Sequence, residues 1–184
     1  MLALWIIIGI VVLLIFIFGG YYNRFTVLSN RIENSLGQIN VQLKRRGDLI
    51  PNLIETVKGF AKHEKTAIKA VTDARKALVS AKGIVDKVKA DRNLEGALGK
   101  LFAIAEGYPD LKANTNFLEL QRELTATEDK VAYARQFYND SILSYNNKCK
   151  TFPGNVFAGI FGFKAKEYLQ ISEADKKVVK VKFD

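Results

Sequence analysis

One cysteine, one histidine, one methionine and three prolines in 184 residues rule out several kinds of chemistry at the start. With Cys149 alone, no internal disulfide can form and no multi-cysteine zinc site can be built. With His63 alone, His63-Glu64 cannot open a two-histidine metal motif, because Ala67 stands one turn on where the second histidine belongs. A nucleophilic Cys149 would need a base, and His63 is far off in sequence, so the thiol reads as a small hydrophobe. The phosphate-cradling GxxxxGK[ST] loop, a GxGxxG turn after a strand and a GxSxG elbow are also missing. Carboxylates are plentiful, but Glu119, Glu123, Glu128 and Asp129 read as a solvated helix face or as partners of Arg122 and Arg135. The expectation is a protein that is not an enzyme, with no catalytic residue, metal or cofactor.

Charge is absent from Met1 to Asn23, and Arg24 is the first charged side chain. Leu2 to Phe18 reads LALWIIIGIVVLLIFIF, followed by Gly19-Gly20 and Tyr21-Tyr22. About 20 apolar residues cross a hydrocarbon core of about 30 Å as a helix. Trp5 and the tyrosine pair suit the two membrane interfaces. No basic stretch precedes the run, no A-x-A-like site follows it and no lipoprotein cysteine closes it, so a retained anchor is expected. Arg24, Arg31 and Lys44-Arg45-Arg46 lie on its C-terminal side. Positive-inside asymmetry then predicts a single-pass protein of the cytoplasmic (inner) membrane, N-terminus outside and C-terminal domain in the cytoplasm.

Beyond the anchor, Tyr21, Phe25, Leu28, Ile32, Leu36, Ile39 and Leu43 recur at intervals of three and four, the stripe of one helix face. No stop signal separates them from the anchor, which predicts one continuous helix. Pro51 should then bend or break it, since proline lacks an N–H and crowds the preceding turn. Ile68, Val71, Leu78, Val85 and Val88 predict a second helix ending near Asp91-Arg92-Asn93. Leu94, Leu98, Leu101 and Phe102 predict a shorter third. After the break at Gly107-Tyr108-Pro109-Asp110, a last long helix is expected from Asn114 or Asn116 through Tyr145. The only alternating stretch is a weak VVKVKF near the C-terminus, and the charged end from Ser172 to Asp184 carries no clear element. The fold class expected is all-α: an N-terminal transmembrane helix, then a long antiparallel bundle of about four helices. Its segments are an anchor over 1–22, a helical bundle over 23–150, and a Phe/Gly-rich segment with a charged tail over 151–184.

Three features could make contacts. Lys44, Arg45 and Arg46 precede Asp48, Pro51 and Asn52, which reads as a hydrogen-bonded structural kink or as a basic surface for phosphates. Residues 61–90 hold eight Lys/Arg against three acids, Lys62, Lys65 and Lys69 among them. They form either a solvated face or a contact for anionic lipid, an acidic protein or nucleic acid. The segment around Phe157 and Phe161 is too short to span a bilayer; it packs on the bundle, lies at the membrane interface or docks a partner.

These segments resemble the LemA family of bacterial membrane proteins. The resemblance rests on QLKRRGDLIPNLIETVKGFAKHE (42–64), EGYPDLKANTNFLELQRELTATEDKVAYARQFYND (106–140) and YNNKCKTFPGNVFAGIFGF (145–163), with an anchor ahead of them. Together they cover most of the chain; Gly47 departs from the family, where an aromatic is common. The resemblance implies a helical bundle on one membrane span and supplies no activity and no catalytic residues. It implies a role in envelope maintenance or beside a membrane protease, and magnetosome membranes are a further association.

The function expected is a non-enzymatic, membrane-anchored scaffold or adaptor that self-associates or recruits partners, with the lipid bilayer, a second copy or a membrane protease as partners. The alternative is a protein that binds anionic lipid and organises or remodels the membrane. Nucleic acid is disfavoured, because no reader motif accompanies the positive charge.

Overall fold

The computed structural model describes residues 1–169. Six helices follow in order: α1 Leu2–Phe60, α2 Lys65–Ser80, α3 Ile84–Ala105, α4 Pro109–Lys112, α5 Thr115–Lys150 and α6 Gly154–Phe161. No strand occurs among the described residues, and the VVKVKF stretch and the charged end lie outside them. The chain divides into two compact units, one of residues 1–32 with the chain from Tyr138 onward, the other Glu33–Phe137.

The larger unit is an up-down-up-down arrangement built from the second half of α1, α2, α3 and the first part of α5. Its apolar stripes are those read from the sequence: Ile39, Leu43, Ile50, Leu53 and Val57 of α1, Val71 and Leu78 of α2, Leu94, Leu98 and Leu101 of α3, and Phe117, Leu124 and Val131 of α5 are buried. Each stripe gains about 25 cal/mol for every Å² of apolar surface it removes from water. Asn114 caps α5, its Oδ1 accepting from Phe117 N–H at 3.0 Å.

Two boundaries differ from the sequence expectation. The second helix stops at Ser80, and Asp91-Arg92-Asn93 lies inside α3. The break falls at Ala81–Gly83, where Ala81 and Gly83 are extended and Asp86 occupies the first turn of α3. A glycine ahead of a helix and an acid in its first turn favour that start; the longer apolar periodicity hid it. The helix also does not break at Pro51: α1 runs through it to Phe60. Proline leaves the carbonyl four residues back, that of Gly47, without its helical donor. Arg75 of α2 supplies one, its Nε–H donating to that carbonyl at 2.8 Å. Asp48 does not serve this purpose; its carboxylate is exposed and takes Lys44 Nζ at 2.5 Å. The side chain of Gly47's nearest neighbour, Val79, approaches to 3.7 Å of where a Cβ would sit, which marks the closeness of α1 and α2 here.

The smaller unit joins the first half of α1 to the end of α5 and to α6. Phe25, Leu28, Ile32, Ile142, Tyr145, Phe157 and Ala158 form its core. Lys148 sits over the Tyr21 ring and Phe25 meets Tyr145 edge-on, so α1 and α5 run antiparallel. The chain doubles back into α6 at Gly154, where any Cβ would stand 2.2 Å from the Lys148 carbonyl oxygen. Only glycine permits that approach. α6 ends at Gly162, left-handed at φ 74°, with Phe163 N–H returning to the Ala158 carbonyl at 2.9 Å.

Beyond α6 the chain is pinned to α5 by two asparagines. Asn146 donates to the Lys166 carbonyl and accepts from its N–H, both at 2.8 Å. Asn139 does the same for Leu169, at 3.1 and 2.9 Å. Seven residues of helix rise about 10.5 Å and three residues of extended chain about 10 Å, so the two spacings match and the side-chain amides stand in for a neighbouring strand.

Candidate functional site

Three consecutive basic residues on a helix point about 100° apart, and the structure sends Lys44, Arg45 and Arg46 to three environments. Lys44 is exposed with Asp48. Arg45 is half-exposed, its Nη2 3.7 Å from Glu123. Arg46 is 1% exposed and occupies a core position of the α1 stripe, between Leu43 and Ile50. Its Nη1 donates to Asp91 Oδ1 at 2.9 Å and its Nη2 to Glu128 Oε2 at 3.3 Å. Arg46 is thus an interior cation and not part of a phosphate-binding surface.

The Arg46 cluster binds three helices through charge. Asp91 is as buried as the leucines around it, and burial pushes its carboxyl above the usual carboxylate range in spite of Arg46. Glu128, less buried, is raised by burial as well, with Arg46 opposing and Glu95 adding to the rise. Among the described residues, Arg46 Nε and Gln42 Oε1, one turn apart, have no hydrogen-bond partner. The guanidinium relies on its two carboxylates. Asp91 and Glu128 went unrecognised as partners in the sequence reading. Both were legible as polar residues set in helical apolar stripes, Asp91 between Val88 and Leu94, and Glu128 between Leu124 and Val131.

Lys62, Lys65 and Lys69 do come together. With Lys58 and Lys76 they line an open groove of about 640 Å³ where α1 turns into α2, with Ile68 and Thr72 in its wall. Among the described residues lining it, Asp73 is the carboxylate; it accepts from Lys69 Nζ at 2.5 Å and lies 4.0 Å from Lys76. The Lys69 bond lowers the Asp73 pKa and raises that of Lys69. Lys58 pairs with Glu55, and among the described residues Lys62 and Lys65 have no ion-pair partner. Lys76 belongs to the basic stretch 61–90 and follows Lys69 on α2, whereas Lys58, outside that stretch on α1, was missed and reaches the groove through the turn between the helices.

Phe157 and Phe161 are absorbed largely by their own unit. Phe157 is 9% exposed, stacked on Tyr21 at 4.2 Å between centroids and edge-on to Phe18 at 5.0 Å. Phe161 is half-buried against Phe18, Tyr22 and Phe163. Phe157 is therefore a core residue and not a free contact. Cys149 is half-buried, and burial pushes its thiol up, which disfavours the thiolate that reactivity needs. No cluster of three His, Cys, Asp or Glu side chains able to hold a metal occurs among the described residues.

The first part of α1 is long and apolar enough to cross a membrane, and none of its apolar window is buried by the rest of the chain. Curated relatives have comparable sequences. Magnetosome protein MamQ 1 of Paramagnetospirillum magneticum is 27% identical, over 81% of this chain and 64% of its own. Magnetosome protein MamQ of Magnetospirillum gryphiswaldense is 27% identical, over 80% of this chain and 64% of its own. Protein LemA of Metamycoplasma hominis is 27% identical, over 88% of this chain and 74% of its own. The chain thus spans just under two thirds of the length of the MamQ relatives. The model of the LemA family matches residues 35–183, from the second half of α1 onward, and the protein belongs to the LemA family.

Proposed function

We propose that this protein is a non-enzymatic, membrane-anchored scaffold, held by Leu2–Phe18 and recruiting an acidic segment of another protein, or of a second copy, through the lysine groove of Lys58, Lys62, Lys65, Lys69 and Lys76. The groove carries the reading: of its five cations, Lys62 and Lys65 have no ion-pair partner among the described residues, and with Ile68 beside them they form a surface suited to acidic partners. Arg46, Asp91 and Glu128 pair with one another inside the larger unit, which supports a structural role for these interior charges. Membrane placement is supported by the uncovered apolar helix and by the kinship with proteins named for the magnetosome. The orientation proposed is N-terminus out and bundle in the cytoplasm, from the basic residues that follow the span.

The test is the native size of the full chain in mild detergent, for wild type and for Lys62→Glu/Lys65→Glu/Lys69→Glu. A multimer or stable complex that the triple variant loses supports the reading; a monomer in both cases, with no co-purifying protein, refutes it. The same lysines also favour a second reading, anionic-lipid binding. Liposome association that rises with anionic lipid and falls in the triple variant would support it over the scaffold; indifference to both would remove it.

A further inference from the structure

α6 has two faces of different fate. Gly154, Phe157 and Ala158 are buried, with Phe161 half-buried beside them, while Val156 and Ile160, one turn apart, are 49% and 57% exposed, and Phe152 just ahead of the helix is 83% exposed. An eight-residue helix that leaves its branched aliphatic side chains in water forgoes their burial, which is worth more than any solvation they receive. The location of that edge says what covers it. Phe157 and Phe161 place their rings 5.0 and 6.1 Å from Phe18, the last residue of the apolar stretch Leu2–Phe18, and the Tyr21 and Tyr22 rings pack on the same pair. An apolar helix starting at Leu2 traverses a core of about 30 Å by about residue 21. α6 is therefore docked at the depth where the span leaves the hydrocarbon, within the aromatic belt.

The charges of the same unit agree. Arg24, Arg31, Lys148, Lys150, Lys164 and Lys166 stand against Asp140 and Glu167 among its described residues. Arg24 and Lys148 border a groove whose other walls are Phe16, Ile17, Gly20 and Tyr21, cationic on one side and apolar on the other. That is the polarity of a lipid at the headgroup boundary.

We propose that α6 is an interfacial helix, its Val156–Ile160 edge and Phe152 lying in the headgroup–acyl boundary of the bilayer beside the emerging span. The proposal rests on the reading of Leu2–Phe18 as the span. It gives the anchor a second foot: the span sets depth, and α6 resists rotation and tilt of the helix that carries the bundle.

Nitroxide accessibility on the full chain tests it, in a Cys149→Ser background reconstituted in phosphatidylethanolamine–phosphatidylglycerol vesicles. Labels are placed by Ile8→Cys in the span, Val156→Cys, Ile160→Cys and Phe152→Cys at α6, and Val85→Cys on α3 as the aqueous reference. All five positions are exposed, and retained helical circular dichroism checks folding. The expected result is an oxygen-to-nickel-chelate accessibility ratio severalfold higher at 156 and 160 than at 85, and highest at 8. A ratio at 156 and 160 equal to that at 85 overturns the proposal while leaving the span intact if 8 remains high. A low ratio at 8 overturns the span, and this proposal with it. Low accessibility to both reagents at 156 and 160 also overturns it, and assigns that edge to contact with another protein surface.

Discussion

Removing the carboxylate of Asp91 should cost the larger unit far more than a surface substitution. Arg46 is 1% exposed and its Nη1 hydrogen bond to Asp91 is 2.9 Å, with the partially exposed Glu128 at 3.3 Å as the second partner and Nε unsatisfied. Asp91→Ala leaves a buried cation with one poor partner. Breaking a buried pair in this way costs about 3–5 kcal/mol, a large part of the about 5–15 kcal/mol of a typical domain. With a slope of about 2 kcal/mol per M, the urea midpoint of the detergent-solubilised chain falls by about 2 M, followed by far-ultraviolet circular dichroism. Replacing both charges should behave differently. Burial raises Asp91 above the usual range even beside Arg46, so the pair's desolvation outweighs its attraction for that carboxyl. Arg46→Met/Asp91→Leu is thus expected within about 1 kcal/mol of wild type, or above it. A cost under about 1 kcal/mol for Asp91→Ala, or a double variant as unstable as the sum of both single ones, would refute the reasoning.

The same group sets a pH dependence. A carboxyl whose folded pKa is raised stabilises the fold most below the unfolded pKa near 3.8, and the contribution disappears as pH rises through the folded value. Wild type should lose stability over the interval above pH 3.8 relative to Asp91→Asn, whose profile is flatter there; parallel urea titrations across pH would show the opposite slope difference if burial were not the cause. Gly154→Ala forces a Cβ to 2.2 Å from the Lys148 carbonyl, so thermal melts should show about 1–3 kcal/mol of lost stability and loss of α6 protection in hydrogen exchange; unchanged protection would refute the close approach. Arg75→Met strips the donor from the Gly47 carbonyl and should cost about 1–2 kcal/mol. In a Pro51→Ala background the restored backbone N–H takes that role and most of the cost should vanish, a coupling that a double-mutant cycle reads directly. Cys149, raised by burial, should alkylate with iodoacetamide at pH 8 much more slowly in the native chain than in urea; equal rates would contradict its burial.

Much of this architecture was legible in the residues. The uninterrupted stripe from Tyr21 to Leu43 announced that anchor and first domain helix are one, and α1 is one helix from Leu2 to Phe60. Asn114 and Asn116 were both readable as the start of α5, and it is Asn114 that serves as its cap. Apart from the α2–α3 boundary, which the longer apolar periodicity hid, the misreadings share a cause: each needed a partner from another helix. Pro51 was expected to bend or break α1 because a lone helix cannot replace the missing N–H; the helix does not break, and Arg75 arrives from α2 to take the orphaned carbonyl. Arg46 was read with its neighbours Lys44 and Arg45 because they are adjacent in sequence. Its place in the stripe between Leu43 and Ile50 was the stronger signal, and Asp91 and Glu128 carry the matching marks on α3 and α5. The lysine cluster was visible as composition, Lys76 included, but its extension to Lys58 depends on how two helices meet. The pairing of Asn139 and Asn146 with Leu169 and Lys166 left no trace in periodicity, because asparagine-to-backbone bonding has no helical repeat of its own.

Crosslinking of the full chain in native membranes, followed by gentle solubilisation and sizing with identification of every crosslinked species, tests the scaffold directly. The account predicts a discrete multimer, or one reproducible partner joined through an acidic segment to Lys62, Lys65 or Lys69. A chain that stays a lone monomer, with those lysines unlinked to any protein, would contradict it.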